Sequence, residues 1–267
     1  MPKHMQQSLE FIITKSDLVA GLVDAGIQKG DILCAHVAMG NLGWMPGGAQ
    51  AIIEALLEVV GQSGTLMMPA FSGDLSDPAE WKYPAAPPDK IGIIRDSMPA
   101  FDPERTPTKS MGTVAELFRN WPGVRRSGHP QSSFAAFGRA AEQLLACHGL
   151  SNRFGPNSPL QKLVDLEGKV LLLGAPRDTI SLFHLTQHLV EFTTKVNKAA
   201  PMLVGCRREW VKYEDVEYPI QWFEKGLQHL FELGIATLTK VNTADTIVFP
   251  AKPAIERIVE WRIAQNV

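Results

Sequence analysis

A chain of 267 residues, 45% hydrophobic and 20% charged, is long enough to bury one large core or two small ones. Its net charge of -2 argues against a general nucleic-acid or anionic-membrane binder, and no apolar run reaches the length of a membrane span. Its three cysteines, Cys34, Cys147 and Cys206, are odd in number and far apart, which speaks against a disulfide framework or a cysteine zinc cluster and for a reducing cytosol.

The opening stretch MPKHMQQSLEF holds no apolar signal core, so a cytoplasmic protein is expected. Ser16 and Asp17 are placed to cap a helix through LVAGLVDAG. Asp31 to His36 reads as a short buried strand, followed by a loop with Gly43, Gly47 and Gly48. AQAIIEALLEVV has helical periodicity and stops at Gly61 and Gly64; TLMMPAF is the next strand. From Ser72 to Pro107 the text turns to Pro, Asp and Ser, which suits neither one long helix nor a core strand. This insertion, about 72–107, is expected to be an active-site loop or a flap.

Thr113 to Arg119 reads as a helix, AAFGRAAEQLLACHG as a strand edge and a helix, and KVLLLGA as the clearest buried strand. ISLFHLTQHLVEF has helical spacing. REWVKYEDVEY alternates like an exposed strand, WFEKGLQHLFELG is an amphipathic helix, and ERIVEWRIAQ closes as another helix. Strands alternating with helices point to one layered α/β domain over 1–267.

G-x-S-x-G, Walker A and G-x-G-x-x-G are all absent, which lowers the odds of an esterase, an NTPase or a nicotinamide enzyme. His184 and His188, four apart, make half of a zinc helix, but Leu185 stands where H-E-x-x-H needs glutamate. No metal is expected there.

Four segments carry a family signal. They are His36-Val-Ala-Met-Gly-Asn-Leu-Gly-Trp-Met-Pro-Gly-Gly48; Thr65 to Pro69 with Phe71 to Asp77; Arg126 to Ala136 continuing to Gly155-Pro-Asn-Ser-Pro-Leu160; and Leu171 to Ala175 followed by Asp178 and His184. In this order the chain resembles the aminoglycoside 3-N-acetyltransferases, the antibiotic N-acetyltransferase family, over roughly residues 8–250. The resemblance implies a layered α/β/α fold distinct from the common small acetyltransferase fold. It implies transfer of an acetyl group from acetyl-CoA to an amine, the 3-amino group of an aminoglycoside or a related aminated natural product, and hence a role in antibiotic resistance. The implied partners are CoA and a cationic small-molecule amine. The oligomeric state stays open.

The same resemblance places His184 at the catalytic histidine, with Gln187 beside it where the family has glutamate. A positioned imidazole suits removal of a proton from an attacking amine. His129, before Pro130, shapes the site or touches the cofactor, or else is a structural turn histidine. His36, Val37, Ala38, Met39 and Gly40 are expected around the pantetheine arm, with Arg126, Ser132, Ser133 and Ser158 as further cofactor donors. Arg126 and Ser158 have bland alternatives as a loop charge and a turn residue. Asp74, Asp77 and Asp178 are candidates for a cationic-substrate pocket. His4, His148 and His229 read as solvated surface, and Met67, Met68 and Leu171 to Leu173 as core.

Two positions depart from the family pattern. Ala38 replaces a serine two residues after the strand-end histidine, and Gln187 replaces the glutamate that orients the catalytic histidine. Two alternatives therefore stand beside an active aminoglycoside enzyme: a catalytically impaired CoA-binding relative, and an acyltransferase with a different amine acceptor.

Overall fold

The structure, a computed structural model, describes residues 11–267. The readings made on the first ten residues and on His4 lie outside the described residues.

Helix α1 (Lys15–Asp24) is capped by Thr14 and not by Ser16. Thr14 accepts from the Asp17 N–H at 3.1 Å while Asp17 accepts from the Thr14 N–H at 2.9 Å, a reciprocal box that satisfies both donors. Strand β1 (Ile32–Val37), helix α2 (Gly48–Val60) and strand β2 (Thr65–Pro69) follow where the periodicity placed them. The insertion holds α3 (Ile91–Ser97) and two short 3-10 turns. Next come α4 (Gly112–Arg119), β3 (Arg125–Arg126), β4 (Phe134–Gly138), α5 (Ala141–Leu145), α6 (Pro159–Asp165) and β5 (Lys169–Leu173).

Ser181–His188 is a 3-10 helix, not an α-helix. The hairpin β6 (Lys195–Val204) and β7 (Arg207–Val216), helix α7 (Phe223–Glu232), strands β8 (Thr237–Val241) and β9 (Ala244–Pro250), and helix α8 (Ala251–Gln265) complete the fold. β6, β8 and β9 had no reading from sequence. All three pair antiparallel with a neighbour that the local text does not reveal.

A seven-stranded sheet runs β3-β4-β2-β1-β5-β9-β8, and β6-β7 stands apart. β1 pairs parallel with both β2 and β5, and the outer strands run antiparallel. Strand alternation divides the core cleanly. Leu33, Ala35, Leu66, Met68, Leu171 and Leu173 face one side with α1, α2 and α4. Cys34, Met67, Val170 and Leu172 face the other with α5, α6, α7, α8 and the 3-10 helix. This is the layered α/β/α arrangement expected from the sequence. At the carboxyl ends of the parallel strands β2, β1 and β5, the connections leave toward opposite faces. That is where an open α/β sheet forms a crevice.

Candidate active site

A cleft of about 640 Å³ opens at this crevice. Its floor is the end of β1 and the turn after it: Ala35, His36, Val37, Ala38, Met39 and Gly40 all line it. Parity decides which face His36 joins. Two residues after Cys34, it points to the side covered by the 3-10 helix, and His184 of that helix lines the same cleft. Met68, expected in the core, also forms part of the wall.

The turn after β1 is built tightly. Asn41 donates from Nδ2 to the Gly174 carbonyl at 2.8 Å, tying the β1 turn to the end of β5. Gly174 has φ 64, and a Cβ there would meet the Ala38 carbonyl oxygen at 3.1 Å and the Asn41 Cβ at 3.0 Å. Only glycine fits both the angle and the space. Gly43 is likewise structural, since a Cβ on it would lie 2.3 Å from the Phe11 carbonyl oxygen. Ala38 is the N-cap of the 3-10 turn Met39–Asn41 and supplies no side-chain cap. A serine hydroxyl at this position would be placed to accept from the first-turn N–H groups, which alanine leaves uncapped.

The opposite wall is the start of α4, which sequence reasoning did not single out as site. Ser110, Met111, Gly112, Thr113, Val114 and Ala115 line the cleft. No side chain caps this helix, and Ser110 and Gly112 both take left-handed φ, 60 and 83. Uncapped N–H groups at the positive end of a helix dipole favour an anion. The legible signal was the text Lys109-Ser-Met-Gly-Thr113, small and polar residues between a Pro-rich stretch and a helix.

His184 sits in an aromatic box. Phe154 stacks on it at 4.7 Å, and Tyr218 and Phe223 meet it at 5.3 and 5.0 Å. Its Nδ1 is buried with no hydrogen-bond partner. Burial, followed by the nearby Arg153 and His36 charges, pushes its pKa down to about 3. The imidazole is therefore neutral at pH 7. His36 is likewise pushed down to about 4 by burial.

The 3-10 geometry corrects the sequence picture of this segment. Residues three apart share a face in a 3-10 helix and residues four apart do not. His184 thus aligns with Gln187 rather than with His188. Gln187 is nevertheless turned elsewhere: it is buried, lies off the cleft, and donates from Nε2 to the Pro219 carbonyl at 3.4 Å. His188 contacts the Tyr218 hydroxyl at 2.7 Å, and Tyr218 donates to Asp215 at 2.8 Å. Asp215 Oδ2 in turn lies 2.8 Å from Arg153 Nε, an ion pair with a fully buried carboxylate. Among the described residues, no group of three His, Cys, Asp or Glu is placed to hold a metal ion.

Several expected site residues lie off the cleft. His129 is fully buried, and its Nδ1 accepts from the N–H groups of Gln131 and Ser132 at 3.2 and 3.1 Å. Arg126 bonds the carbonyls of Thr106 and Ala70 at 2.5 and 2.6 Å and the hydroxyls of Ser72 and Ser133 at 2.8 and 2.9 Å. Ser133 donates to Ala70, and Ser158 is the buried N-cap of α6, accepting from Gln161 at 3.3 Å. Ser132 is buried in the same turn as His129. The polar groups of His129, Arg126, Ser133 and Ser158 are spent inside the protein. His148, expected at the surface, is half-buried and contacts Ser127 Oγ at 2.8 Å and the Arg153 carbonyl at 2.6 Å.

Of the three carboxylates, Asp178 lines the cleft, Asp74 is exposed away from it, and Asp77 is held bidentately by Arg95 at 2.7 and 2.8 Å. Residues 72–107 are docked on the hairpin. Phe101 donates to Pro201, Trp210 to the Arg95 carbonyl, and Arg208 to the carbonyls of Met98 and Arg95.

Comparison with known proteins follows the same lines. The profile of a family described as aminoglycoside 3-N-acetyltransferase matches residues 34–262. The chain is 37% identical to the SPbeta prophage-derived aminoglycoside N(3')-acetyltransferase-like protein YokD of Bacillus subtilis, covering 98% of this chain and 96% of that one. It is 34% identical to aminoglycoside N(3)-acetyltransferase IX of Micromonospora chalcea, with 93% of each covered. The crystal structure of YokD superposes with a TM-score of 0.93 at 37% identity over 96% of this chain and 95% of that one. A structure described as AAC-IIIb binary with CoASH superposes at 0.85 and 29% identity over 95% and 97% of the two chains. One of AAC-VIa bound to sisomicin gives 0.85 and 29% over 95% and 98%.

Proposed function

Since this chain belongs to the aminoglycoside 3-N-acetyltransferase family, we propose that its cleft acetylates an amino group of an aminoglycoside, at the 3-N position, or of a related aminated natural product, with His184 as the general base. It is an N-acetyltransferase that uses acetyl-CoA. The observation that carries the site assignment is the convergence of His184, His36 and the uncapped start of α4 on one cleft.

The chemistry assigns roles to this chain's own groups. The neutral His184 takes the proton from the amine as its nitrogen bonds to the acetyl carbon. The C–S bond breaks, and the proton passes on to the departing sulfur. The N–H groups of Met39 and Gly40 are candidates to steady the negative charge on the carbonyl oxygen, since that of Asn41 already bonds the Ala38 carbonyl. The N–H groups at the start of α4 suit the phosphates of CoA, which fits an end that carries no cap of its own. Residues 72–107 form the acceptor-side flap in this assignment, resting on the hairpin. A cytoplasmic location suits three free cysteines.

A second reading rests on Ala38 and Gln187: a relative that keeps the CoA site but acetylates aminoglycosides poorly, because no acid partner meets His184 Nδ1. Calorimetry with CoA and a thiol-release assay with acetyl-CoA and a panel of amines test both. Saturable CoA binding with amine-dependent thiol release supports the assignment. Binding without release under any amine supports the second reading, and no CoA binding removes both.

A further inference from the structure

A hydrogen-bonded carboxylate fixes an imidazole through one of its nitrogens. No such partner reaches His184. Its Nδ1 is buried and unpaired, and Gln187 on the same helix face is turned to the Pro219 carbonyl. The ring is part-exposed and lines the cleft, so Nε2 is the nitrogen left to address the acceptor. Another restraint must hold that direction, because the torsion of a histidine ring has broad wells and a turning ring presents Nε2 only part of the time.

Three rings supply the restraint. Phe154 lies parallel to His184, 4.7 Å away with 16° between the planes. Tyr218 meets it edge-on at 5.3 Å and 83°, and Phe223 adds a third contact at 5.0 Å and 57°. A parallel ring fixes the plane of the imidazole, and rings at steep angles to it oppose turning out of that plane.

Phe154 and Tyr218 are themselves anchored. They meet edge-on at 4.9 Å, and Phe71 touches Phe154 at 5.5 Å. One buried carboxylate ties both segments together: Asp215 accepts from the Tyr218 hydroxyl at 2.8 Å and pairs with Arg153, the residue before Phe154, at 2.8 Å. The Arg153 guanidinium also lies over the Tyr218 ring at 4.4 Å. The Tyr218 hydroxyl meets His188 at 2.7 Å as well, so it touches His184 through its ring alone.

We propose that Phe154 and Tyr218 are positioning residues of the base: they hold His184 Nε2 toward the cleft and keep water from Nδ1, so that aromatic packing orients the imidazole where this chain has no carboxylate beside it. This rests on the assignment of His184 as general base above.

Phe154→Leu keeps apolar bulk and removes the parallel ring. It should lower kcat about ten- to hundredfold, while the KM for acetyl-CoA and the affinity for CoA by calorimetry stay within about threefold. The substitution changes no charge near the histidine. Arg153 stays paired with Asp215, His36 and Asp178 stay in the cleft lining, His188 keeps Tyr218, and Arg262 keeps its bond to Thr186 on the same 3-10 helix. Water reaching Nδ1 then relieves the desolvation that holds the His184 pKa at about 3. The NMR titration of its ring and the acid limb of the pH–rate profile should both move up by at least about one pH unit. At the second ring, Tyr218→Leu should also lose rate, and Tyr218→Phe, which keeps the ring, should recover most of it.

A Phe154→Leu protein with wild-type CoA affinity, wild-type kcat and an unmoved His184 titration overturns the proposal. Where that variant does not fold, the pair at 218 decides, and equal rates in Tyr218→Leu and Tyr218→Phe overturn it. Failure of the acetyltransferase reading shows separately, as no thiol release from the wild type with any amine, and failure of the base assignment as full activity in His184→Ala. The NMR titration still reads the shielding of Nδ1 where CoA binds without turnover.

Discussion

Two histidine-bearing regions lie close in the fold and differ in one respect. The turn from Arg126 to Ser133 is dense with polar atoms, and those of Arg126, His129 and Ser133 are answered by backbone or hydroxyl partners of the protein. The cleft at the ends of β1 and β5 presents the reverse: a buried His184 Nδ1 without a partner, a helix start without a cap and a turn without a cap. Buried polar groups are almost always paired, so a cluster of unpaired ones beneath a cleft marks the place where a ligand completes the bonding. The sequence put His184 first for the base and offered Arg126 and His129 as further site candidates. Hydrogen-bond accounting separates them.

The sharpest way to break this contrast is to remove one histidine from each side. His184→Ala should lower kcat by about two to four orders of magnitude, the usual worth of a positioned base, while CoA affinity by calorimetry stays within a few-fold. His129→Ala should behave oppositely, keeping kcat within a few-fold at low temperature. Equal loss of activity in both variants would show that the turn belongs to the chemistry.

Arg126→Met tests the same side through stability. Removing its guanidinium leaves the Thr106 carbonyl unanswered, while Ala70 keeps the Ser133 hydroxyl and Ser72 keeps Pro107, so urea unfolding should show a loss of about 2 kcal/mol with CoA binding retained at low temperature. A stable variant that no longer binds CoA would return Arg126 to the cofactor.

Gln187→Glu asks whether the unpartnered Nδ1 limits the base. Residues 184 and 187 share a face of the 3-10 helix, but Gln187 is turned to the Pro219 carbonyl, so a glutamate there must give up that direction to reach His184. Its negative charge should raise the His184 pKa above about 3, shift the acid limb of the pH–rate profile upward and raise kcat about tenfold. No change in either the limb or the rate would mean that the partner of His184 lies elsewhere.

The last test concerns pH and stability. Burial depresses the pKa values of His36 and His148 to about 4 and of His184 to about 3. The unfolded chain takes up these protons near pH 6.5 and the folded one only far lower. The stabilisation from neutral burial is therefore complete above about pH 6.5 and is lost as pH falls toward 4, at up to about 1.4 kcal/mol per pH unit for each histidine. Denaturant midpoints at pH 7 and pH 5 should show this, and His184→Ala should flatten the slope. A stability that rises on acidification would contradict the burial of these rings.

The sequence by itself determined the parallel heart of the sheet. KVLLLGA, TLMMPAF and the strand ending at His36 are short apolar runs that only a doubly covered sheet can bury, and they became β5, β2 and β1. The family motifs also placed His36 to Gly40, Asp178 and His184, all of which line the cleft. Local text could not show β6, β8 and β9, because an antiparallel strand is defined by a partner and not by its own residues. It could not foresee the 3-10 winding of Ser181–His188, since helical spacing over eight residues fits either helix and packing against α8 and α6 chose between them. Nor could it say which polar side chains were free. Arg126, Ser133 and His129 differ from His184 only in what surrounds them, and those surroundings come from segments as far as 63 residues away in the chain. Residue chemistry is local, but satisfaction of a hydrogen bond is a property of the folded neighbourhood, and only the tertiary structure supplies it.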